Sequence, residues 1–266
     1  MIEGYVIFQL LAVGMLGGLL GGFLGIGGSV LFIPMLTIFV GSDYHTAQAA
    51  ALVVNVCVGF SASQNHIRSG LVSRRLLTIM IPCAMALSVA GVYVSNQFTG
   101  EQEVYLRRCF GVAMTGVIGV NLYRLLRRTW LRGKMPWTWS RPKRNALSVA
   151  AVGAAMGFAA GLLGIGGGAV AVPAQQVLLR MRLRTAVANS SVAIFFTCLL
   201  AAAVKHSTLP EGVDPAQPWT YVGLLVPTAI IGATVGAYFS RRVSREWVRL
   251  VFMAFLAWTA VKMLTA

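Results

Sequence analysis

A glycine-rich segment occurs twice in this chain, and its composition is suited to binding an anion. Residues 25–34 read GIGGSVLFIP, and residues 164–173, found 139 positions later, read GIGGGAVAVP. Each segment interrupts an apolar run, so we expect a helix to break there and a short one to begin at about Ser29 or Gly168. A helix start leaves backbone N–H groups unpaired and carries partial positive charge, and glycines let a ligand come close to the backbone. The pattern predicts an anion site built from Gly25, Gly27, Gly28, Ser29, Gly164, Gly166, Gly167 and Gly168. The alternative is that these glycines only allow close helix packing.

Polar residues recur at helical spacing after each break. Asn55, Gly59, Ser63 and His66 share one face of residues 46–64, and Asn189, Ser190, Ala193 and Thr197 share one face of residues 184–204. Polar side chains at bilayer depth tend to face the bundle interior and to mark substrate pathways. We therefore predict that Asn55, Asn189, Ser190 and Thr197 contact the substrate, with interhelical hydrogen bonding as the alternative.

Residues for catalysis or metal binding are poorly represented. All seven carboxylates lie at the ends of apolar blocks or in loops, and the three histidines lie near helix ends with no acidic partner expected nearby. The four cysteines are scattered singly and form no metal-binding pattern. We expect no enzyme, no catalytic residue, no metal and no cofactor. Lys205 either attracts anions at the outer mouth or extends to the membrane surface.

The composition is that of a helical membrane protein. Of the 266 residues, 57 % are hydrophobic and only 11 % are charged, and the mean hydropathy is +0.75. A soluble domain carries roughly 25 % charged residues. The apolar residues fall in blocks near the length that crosses a bilayer, at 5–24, 29–40, 46–64, 76–95, 104–125, 146–163, 168–179, 184–204, 219–240 and 247–265. The blocks 29–40 and 168–179 are short and indicate re-entrant or half-spanning helices.

The chain is a duplication of one unit. Gly14, Gly18 and Gly22 match Gly153, Gly157 and Gly161 at the spacing of the breaks, and Thr46-Ala47 matches Thr185-Ala186. We predict a first membrane repeat at 1–126, a basic cytoplasmic linker at 127–145 and a second membrane repeat at 146–266. A duplicated membrane chain with matching broken helices is typical of transporters whose site lies between the repeats.

Charge predicts the topology, because cytoplasmic loops carry the excess of Lys and Arg. If each broken unit begins and ends on the same side, all 22 basic residues lie on one side except Arg107, Arg108, Lys205 and Lys262. This arrangement puts both termini in the periplasm and inverts the second repeat relative to the first. The fold expected is an all-α polytopic membrane protein with two inverted repeats, each a Gly-broken re-entrant unit plus three transmembrane helices.

With these features together, the chain resembles the TauE/SafE family of sulfite exporters, also called the 4-toluene sulfonate uptake permease family. The resemblance rests on the repeated Gly-Ile-Gly-Gly segment, on the Thr-Ala-x-Ala segments at 46–49 and 185–188, and on Asn65-His66-x3-Gly70. It implies a bacterial inner-membrane transporter that exports sulfite or a small organosulfonate by alternating access, with an anion channel or an uptake permease as alternatives. The partners implied are that anion and the bilayer. We allow for a homodimer and expect no nucleic acid.

The energy source follows from the residues that are missing. No carboxylate within an apolar block can relay protons, so we expect uncoupled export driven by the membrane potential, with sodium coordinated at the breaks as the alternative.

Overall fold

Ten α-helices and a short 3-10 helix make up the part of the chain that the structure, a computed structural model, describes. The described residues are 4–24, 29–130, 145–239 and 245–265, and they contain no strand. The helices are α1 (Gly4–Leu24), α2 (Ser29–Phe39), α3 (Tyr44–Arg68), α4 (Arg74–Gln97), α5 (Glu103–Trp130), α6 (Ala146–Leu163), α7 (Gly168–Val177), α8 (Leu183–Ser207), α9 (Gln217–Phe239) and α10 (Arg245–Thr265), with the 3-10 helix at Gly100–Gln102.

Each of the ten apolar blocks is a helix, which confirms the predicted all-α fold. Among the described residues, six helices are long and apolar enough to cross a membrane, namely α1, α3, α4, α6, α8 and α9. The helices after the two breaks, α2 and α7, have 11 and 10 residues. At about 1.5 Å per residue they are too short to cross the roughly 30 Å hydrocarbon layer.

The end of the first repeat differs in detail from expectation. Helix α5 runs to Trp130, so the first residues of the predicted linker 127–145 are helical. Residues 131–144 of that linker lie outside the described part of the chain, and the division into repeats and linker stays a prediction.

Glycines allow two pairs of helices to approach closely. A Cβ at Gly153 would lie 2.5 Å from the Met80 carbonyl oxygen, and Gly157 and Gly161 lie in the same way against the carbonyls of Ala84 and Ser88. The residue numbers rise along both helices, so α4 and α6 run parallel. On the other side of the molecule, Gly14 and Gly18 of α1 lie against Leu225 and Ala229 of α9. These five glycines therefore allow their helices to pack closely.

The two packed pairs are equivalent in the duplicated chain. Helix α1 of the first half matches α6 of the second, and α4 matches α9, so α1 on α9 repeats the packing of α6 on α4. Helices α3 and α8, each of 25 residues, also match and pack on one another. Each packed pair therefore joins one helix from the first half of the chain to one from the second.

The matching helices α3 and α8 run antiparallel. His45, near the start of α3, lies beside Lys205, near the end of α8. Gly59, later in α3, lies against Ile194 and Phe195, earlier in α8. Residues of α3 therefore face residues of α8 whose numbers fall as those of α3 rise. Both helices are largely buried, and their crossing forms the centre of the molecule.

Candidate functional site

The break of the second repeat is a buried turn that only glycine accommodates easily. Gly164, Gly166 and Gly167 have φ angles of +71°, +65° and +72°, in the left-handed region that costs other residues roughly 1–2 kcal/mol. Gly164 ends α6 by donating its N–H to the Ala160 carbonyl at 2.9 Å. All residues from Gly164 to Gly168 are buried, so this backbone turn lies inside the protein.

Gln48 of α3 neutralises the carbonyl end of α6 next to this turn. The last carbonyls of a helix have no partner within the helix and carry partial negative charge. The Gln48 Nε2 amide donates to the carbonyls of Gly161 at 2.7 Å and Leu162 at 3.1 Å. Its Oε1 accepts from the Ser95 hydroxyl at 2.9 Å. Gln48 thereby covers acceptors that would otherwise repel an anion at the break.

Tyr44 and Asn55, on the same helix α3, complete this cover. The Tyr44 hydroxyl donates to the Leu163 carbonyl at 3.1 Å, and the Asn55 Nδ2 amide donates to the Gly164 carbonyl at 3.3 Å. Asn55 was predicted as a substrate contact, and the structure places it at the break. Tyr44 and Gln48 were missed. The signal was available, because residues 44, 48 and 55 share a helical face, but their partners lie more than 100 residues away in sequence.

Helix α7 starts at the break, as predicted, with Gly167 as its cap. The Gly167 carbonyl accepts from the N–H groups of Val170 at 3.1 Å and Ala171 at 2.8 Å. The earlier amides of the first turn precede the helical bonding pattern. The positive end of the α7 dipole therefore lies beside the covered carbonyl end of α6. The start of α7 thus offers main-chain amides to an anion at the break without any charged side chain.

Thr197 lies at the same depth as this helix start. Helices α7 and α8 form an antiparallel pair, and Gln175 donates its Nε2 amide to the Ser190 hydroxyl at 2.8 Å. Seven residues before Gln175 is Gly168, and seven residues after Ser190 is Thr197, so both lie about 10 Å from that contact. The Thr197 side chain is fully buried, and its hydroxyl has no hydrogen-bond partner. An unpaired buried hydroxyl at the level where α7 begins is suited to an anionic ligand.

Asn55 reaches the same level from the other repeat. The contacts of His45 with Lys205 and of Gly59 with Ile194 set the register of α3 against α8. That register places Asn55 opposite Thr197. Asn55 thus contacts the Gly164 carbonyl directly, and helical spacing puts Thr197 near the same level.

Asn189 and Ser190 lie about two helical turns from Thr197, toward the α7–α8 connection. The Asn189 Oδ1 accepts from the Ser73 N–H at 2.8 Å, and its Nδ2 is buried without a partner. Ser190 is engaged by Gln175, which the sequence reasoning missed and whose Oε1 is also unpartnered. These residues form a second polar level on the same face of α8 rather than part of the break.

The other residues singled out from the sequence lie in several different parts of the molecule. Gly25, Gly27 and Gly28 lie outside the described residues, and α2 begins at Ser29 as predicted. Gly59 and Ser63 are buried and His66 is half-buried. His206 donates from Nδ1 to the Ala202 carbonyl and packs against Trp219 in a tilted arrangement with a ring-centroid distance of 4.7 Å.

A buried polar cluster lies at the end of α8. Lys205 is fully buried, which contradicts both sequence expectations for it, and its Nζ donates to His45 Nδ1 at 2.7 Å and to Asn96 Oδ1 at 2.5 Å. His45 donates from Nε2 to the Phe98 carbonyl at 2.8 Å. The Glu103 Oε1 lies 4.0 Å from that nitrogen. The expectation that no histidine has an acidic neighbour was therefore wrong, because the loop before α5 folds back on α3.

Comparisons with known proteins agree with this architecture. A family model described as sulfite exporter TauE/SafE matches residues 10–263. The chain is 27 % identical to the probable membrane transporter protein MamO of Paramagnetospirillum magneticum, over all of this chain and 46 % of that protein. It is 26 % identical to the probable membrane transporter protein YunE of Bacillus subtilis over 91 % of both chains, and 23 % identical to YjnA of the same organism over 96 % of this chain and 99 % of that one.

The chain spans about half the length of the MamO proteins that it matches. No solved structure matches the chain. The family match covers nearly every described helix, including both short helices and the second break. The chain belongs to the sulfite exporter TauE/SafE family.

Proposed function

We propose that the protein is a multi-pass inner-membrane transporter that exports a small sulfur-containing anion, sulfite or an organosulfonate. The observation that carries the proposal is the buried glycine turn at Gly164–Gly168, where α7 begins, together with the unpaired buried hydroxyl of Thr197. Main-chain amides and neutral donors can hold an oxyanion and still release it, because they bind it without a full opposite charge. Among the described residues, no histidine or carboxylate accepts a hydrogen bond from the Thr197 hydroxyl and could act as its base, which favours transport over catalysis.

Alternating access is supported by the relation between the halves. Helices α3 and α8 are equivalent and antiparallel, and the site lies where they cross. Equivalent helices that run in opposite directions are what inverted repeats produce, and carriers of this type open by moving one repeat against the other. In this proposal both termini are periplasmic, the linker 127–145 is cytoplasmic, and the two breaks are exposed in turn.

The membrane potential supplies the driving force. With a cytoplasm that is negative by about 100 mV, the export of one negative charge releases about 2.3 kcal/mol. The carboxylate nearest the buried histidine, Glu103, lies at the start of α5, away from the level of Asn55 and Thr197. Export therefore proceeds without proton coupling.

Purified protein in liposomes tests the proposal. Vesicles loaded with radiolabelled sulfite in oxygen-free buffer are given a potassium diffusion potential of either sign. We expect saturable efflux that accelerates when the exit side is positive, and counterflow against unlabelled sulfite or sulfoacetate. Efflux that a protonophore abolishes while valinomycin clamps the potential would contradict uncoupled export.

The same vesicles separate the alternatives. Conductance without saturation or counterflow would indicate an anion channel, and accumulation against the potential would indicate an uptake permease. The Asn189→Leu and Thr197→Val variants test the assigned site. Thr234→Val, at an exposed position of α9, is the matched control for Thr197→Val. Wild-type flux through both site variants would refute the assigned site.

A further inference from the structure

An apolar groove lies between α5 and α7, on the outside of the re-entrant helix. It has a volume of about 420 Å³, and its lining includes Ala113 and Gly116 from α5 and Ala169, Ala174, Val177 and Leu178 from α7. A Cβ at Gly116 would have no atom within 4 Å. The groove is therefore open space next to the short helix that begins at the break.

The equivalent position in the other half of the molecule is filled. Helix α5 begins at Glu103 and α10 at Arg245, so Ala113 and Gly116 correspond to Phe255 and Trp258. The Trp258 ring packs on Phe255 at 5.9 Å and on Phe39 of α2 at 5.7 Å between ring centroids. Two aromatic side chains thus occupy the space that stays empty between α5 and α7.

The side chains of the two short helices, α2 and α7, differ in size in the same way. Helix α2 begins at Ser29 and α7 at Gly168. Val30, Met35 and Phe39 of α2 therefore correspond to Ala169, Ala174 and Leu178 of α7, and each α7 residue is the smaller one. The groove arises from reduced side chains on both walls, while the repeat counterpart is packed by the protein's own residues.

The charge at the end of the groove also differs between the halves. Leu178 lines the groove, and Arg180 follows within about 7 Å along the backbone. Arg180 and Arg182 are both exposed. Their counterparts after α2 are Gly41 and Asp43. The open groove thus ends at two cations, and the filled one ends at a glycine and a carboxylate.

We propose that this groove binds an anionic phospholipid, with an acyl chain between α5 and α7 and the phosphate near Arg180 and Arg182. An acyl chain matches the apolar lining, and a basic segment at a membrane surface attracts anionic headgroups. The bound chain occupies the volume that Phe255 and Trp258 occupy in the other half, and it supports α7 at the break. This site takes a lipid and does not depend on which anion is transported.

Native mass spectrometry of the full chain, purified from membranes rich in phosphatidylglycerol, tests this site. The wild type should retain phosphatidylglycerol through delipidation. Gly116→Trp introduces the side chain of its counterpart Trp258 into the groove, and it should lower the retained lipid at least tenfold. Gly119→Trp is the matched control, because Gly119 is exposed on the same helix, has open space around it and does not line the groove. It should retain lipid like the wild type.

A second pair of variants separates the acyl-chain contact from the headgroup contact. Arg180→Gln with Arg182→Gln should weaken the preference for phosphatidylglycerol over phosphatidylethanolamine by about fivefold per arginine. Ala174→Met, which introduces the α2 residue, replaces Gly116→Trp as the test if that variant does not fold. Undiminished retention in a folded groove-filling variant overturns the proposal. Loss of a dimer instead of lipid in that variant also overturns it and assigns the groove to a second copy of the chain.

Discussion

The ammonium of Lys205 and the imidazole of His45 meet at 2.7 Å across the two halves of the chain. Lys205 belongs to α8 and His45 to the antiparallel equivalent helix α3, while Asn96 of α4 provides the third member at 2.5 Å. Lys205 is fully buried, and a buried charge requires hydrogen-bonding partners. The cluster therefore ties the repeats together at one end of their crossing.

Asn96→Leu alone should destabilise the protein more than Asn96→Leu combined with Lys205→Met. The variant leaves the Lys205 ammonium buried with His45 as its remaining partner in the cluster, and an uncompensated buried charge costs about 3–5 kcal/mol. The double variant with Lys205→Met should recover part of that loss, because the charge is removed together with its acceptor. Unfolding free energies in mixed micelles measure both changes. Asn145→Leu is the control, since Asn145 is exposed and its side chain caps no helix. Equal stability of the single and double variants would contradict a charge-based role.

Gln48→Leu should impair anion transport through the carbonyl end of α6. Without the Nε2 donor, the carbonyls of Gly161 and Leu162 lose their side-chain partner and direct negative charge toward the break. Each unsatisfied buried acceptor costs about 1–3 kcal/mol, so we expect the apparent KM for sulfite to rise at least tenfold. Liposome efflux over a range of concentrations measures this change. Gln64→Leu, at an exposed position of the same helix, should behave like the wild type. A normal KM in Gln48→Leu would mean that the carbonyls do not face the anion.

Thr197→Val should separate binding from stability. Valine keeps the shape of the threonine side chain but removes the hydroxyl, which has no partner within the protein. Thermal stability should therefore stay the same or increase, while anion affinity falls by about 10- to 100-fold, as expected for a hydrogen bond to a charged ligand. Calorimetric binding of sulfite and thermal unfolding on the same sample measure the two quantities. A loss of stability with unchanged affinity would assign Thr197 to packing.

Gly166→Val should abolish transport and leave membrane insertion intact. Gly166 has a φ of +65° in the buried turn, and a β-branched residue strains that conformation. The control for strain alone is Gly70→Val, because Gly70 has a φ of +66° in an exposed turn with nothing within 4 Å. Flux, membrane yield and gel-filtration profile are compared for both variants. Similar flux in the two would show that the turn at Gly166 does not form part of the pathway.

Local composition predicted the helices well because the membrane selects segments by length and apolarity. The ten blocks and the restart at Gly168 follow from residues that are neighbours in sequence. The contacts of the site were harder to predict. Gln48 and Tyr44 meet carbonyls more than 100 residues away, and no local pattern specifies such partners. Lys205 has the sequence position of a surface lysine, and only the packing of α3, α4 and α8 shows that it is buried.

Residues 43 and 182 should be accessible from opposite sides of the membrane. They occupy equivalent places, immediately before α3 and α8, and inversion of the repeats puts equivalent loops in different compartments. Asp43→Cys and Arg182→Cys, each in a background without other cysteines, are labelled in intact cells by a thiol reagent that does not cross the inner membrane.

We expect labelling of residue 43 in intact cells, and of residue 182 only after the membrane is opened. The basic residues Arg180, Arg182 and Arg184 favour the cytoplasm for that loop, whereas Asp43 caps the start of α3 through the Thr46 N–H at 2.9 Å. Because that cap contributes about 1 kcal/mol to the helix, Gly41→Cys, at an exposed position where an added Cβ has no atom within 4 Å, provides an independent probe of the same loop. Labelling of both loops from one side would mean that the antiparallel relation of α3 and α8 does not arise from inverted repeats across the bilayer.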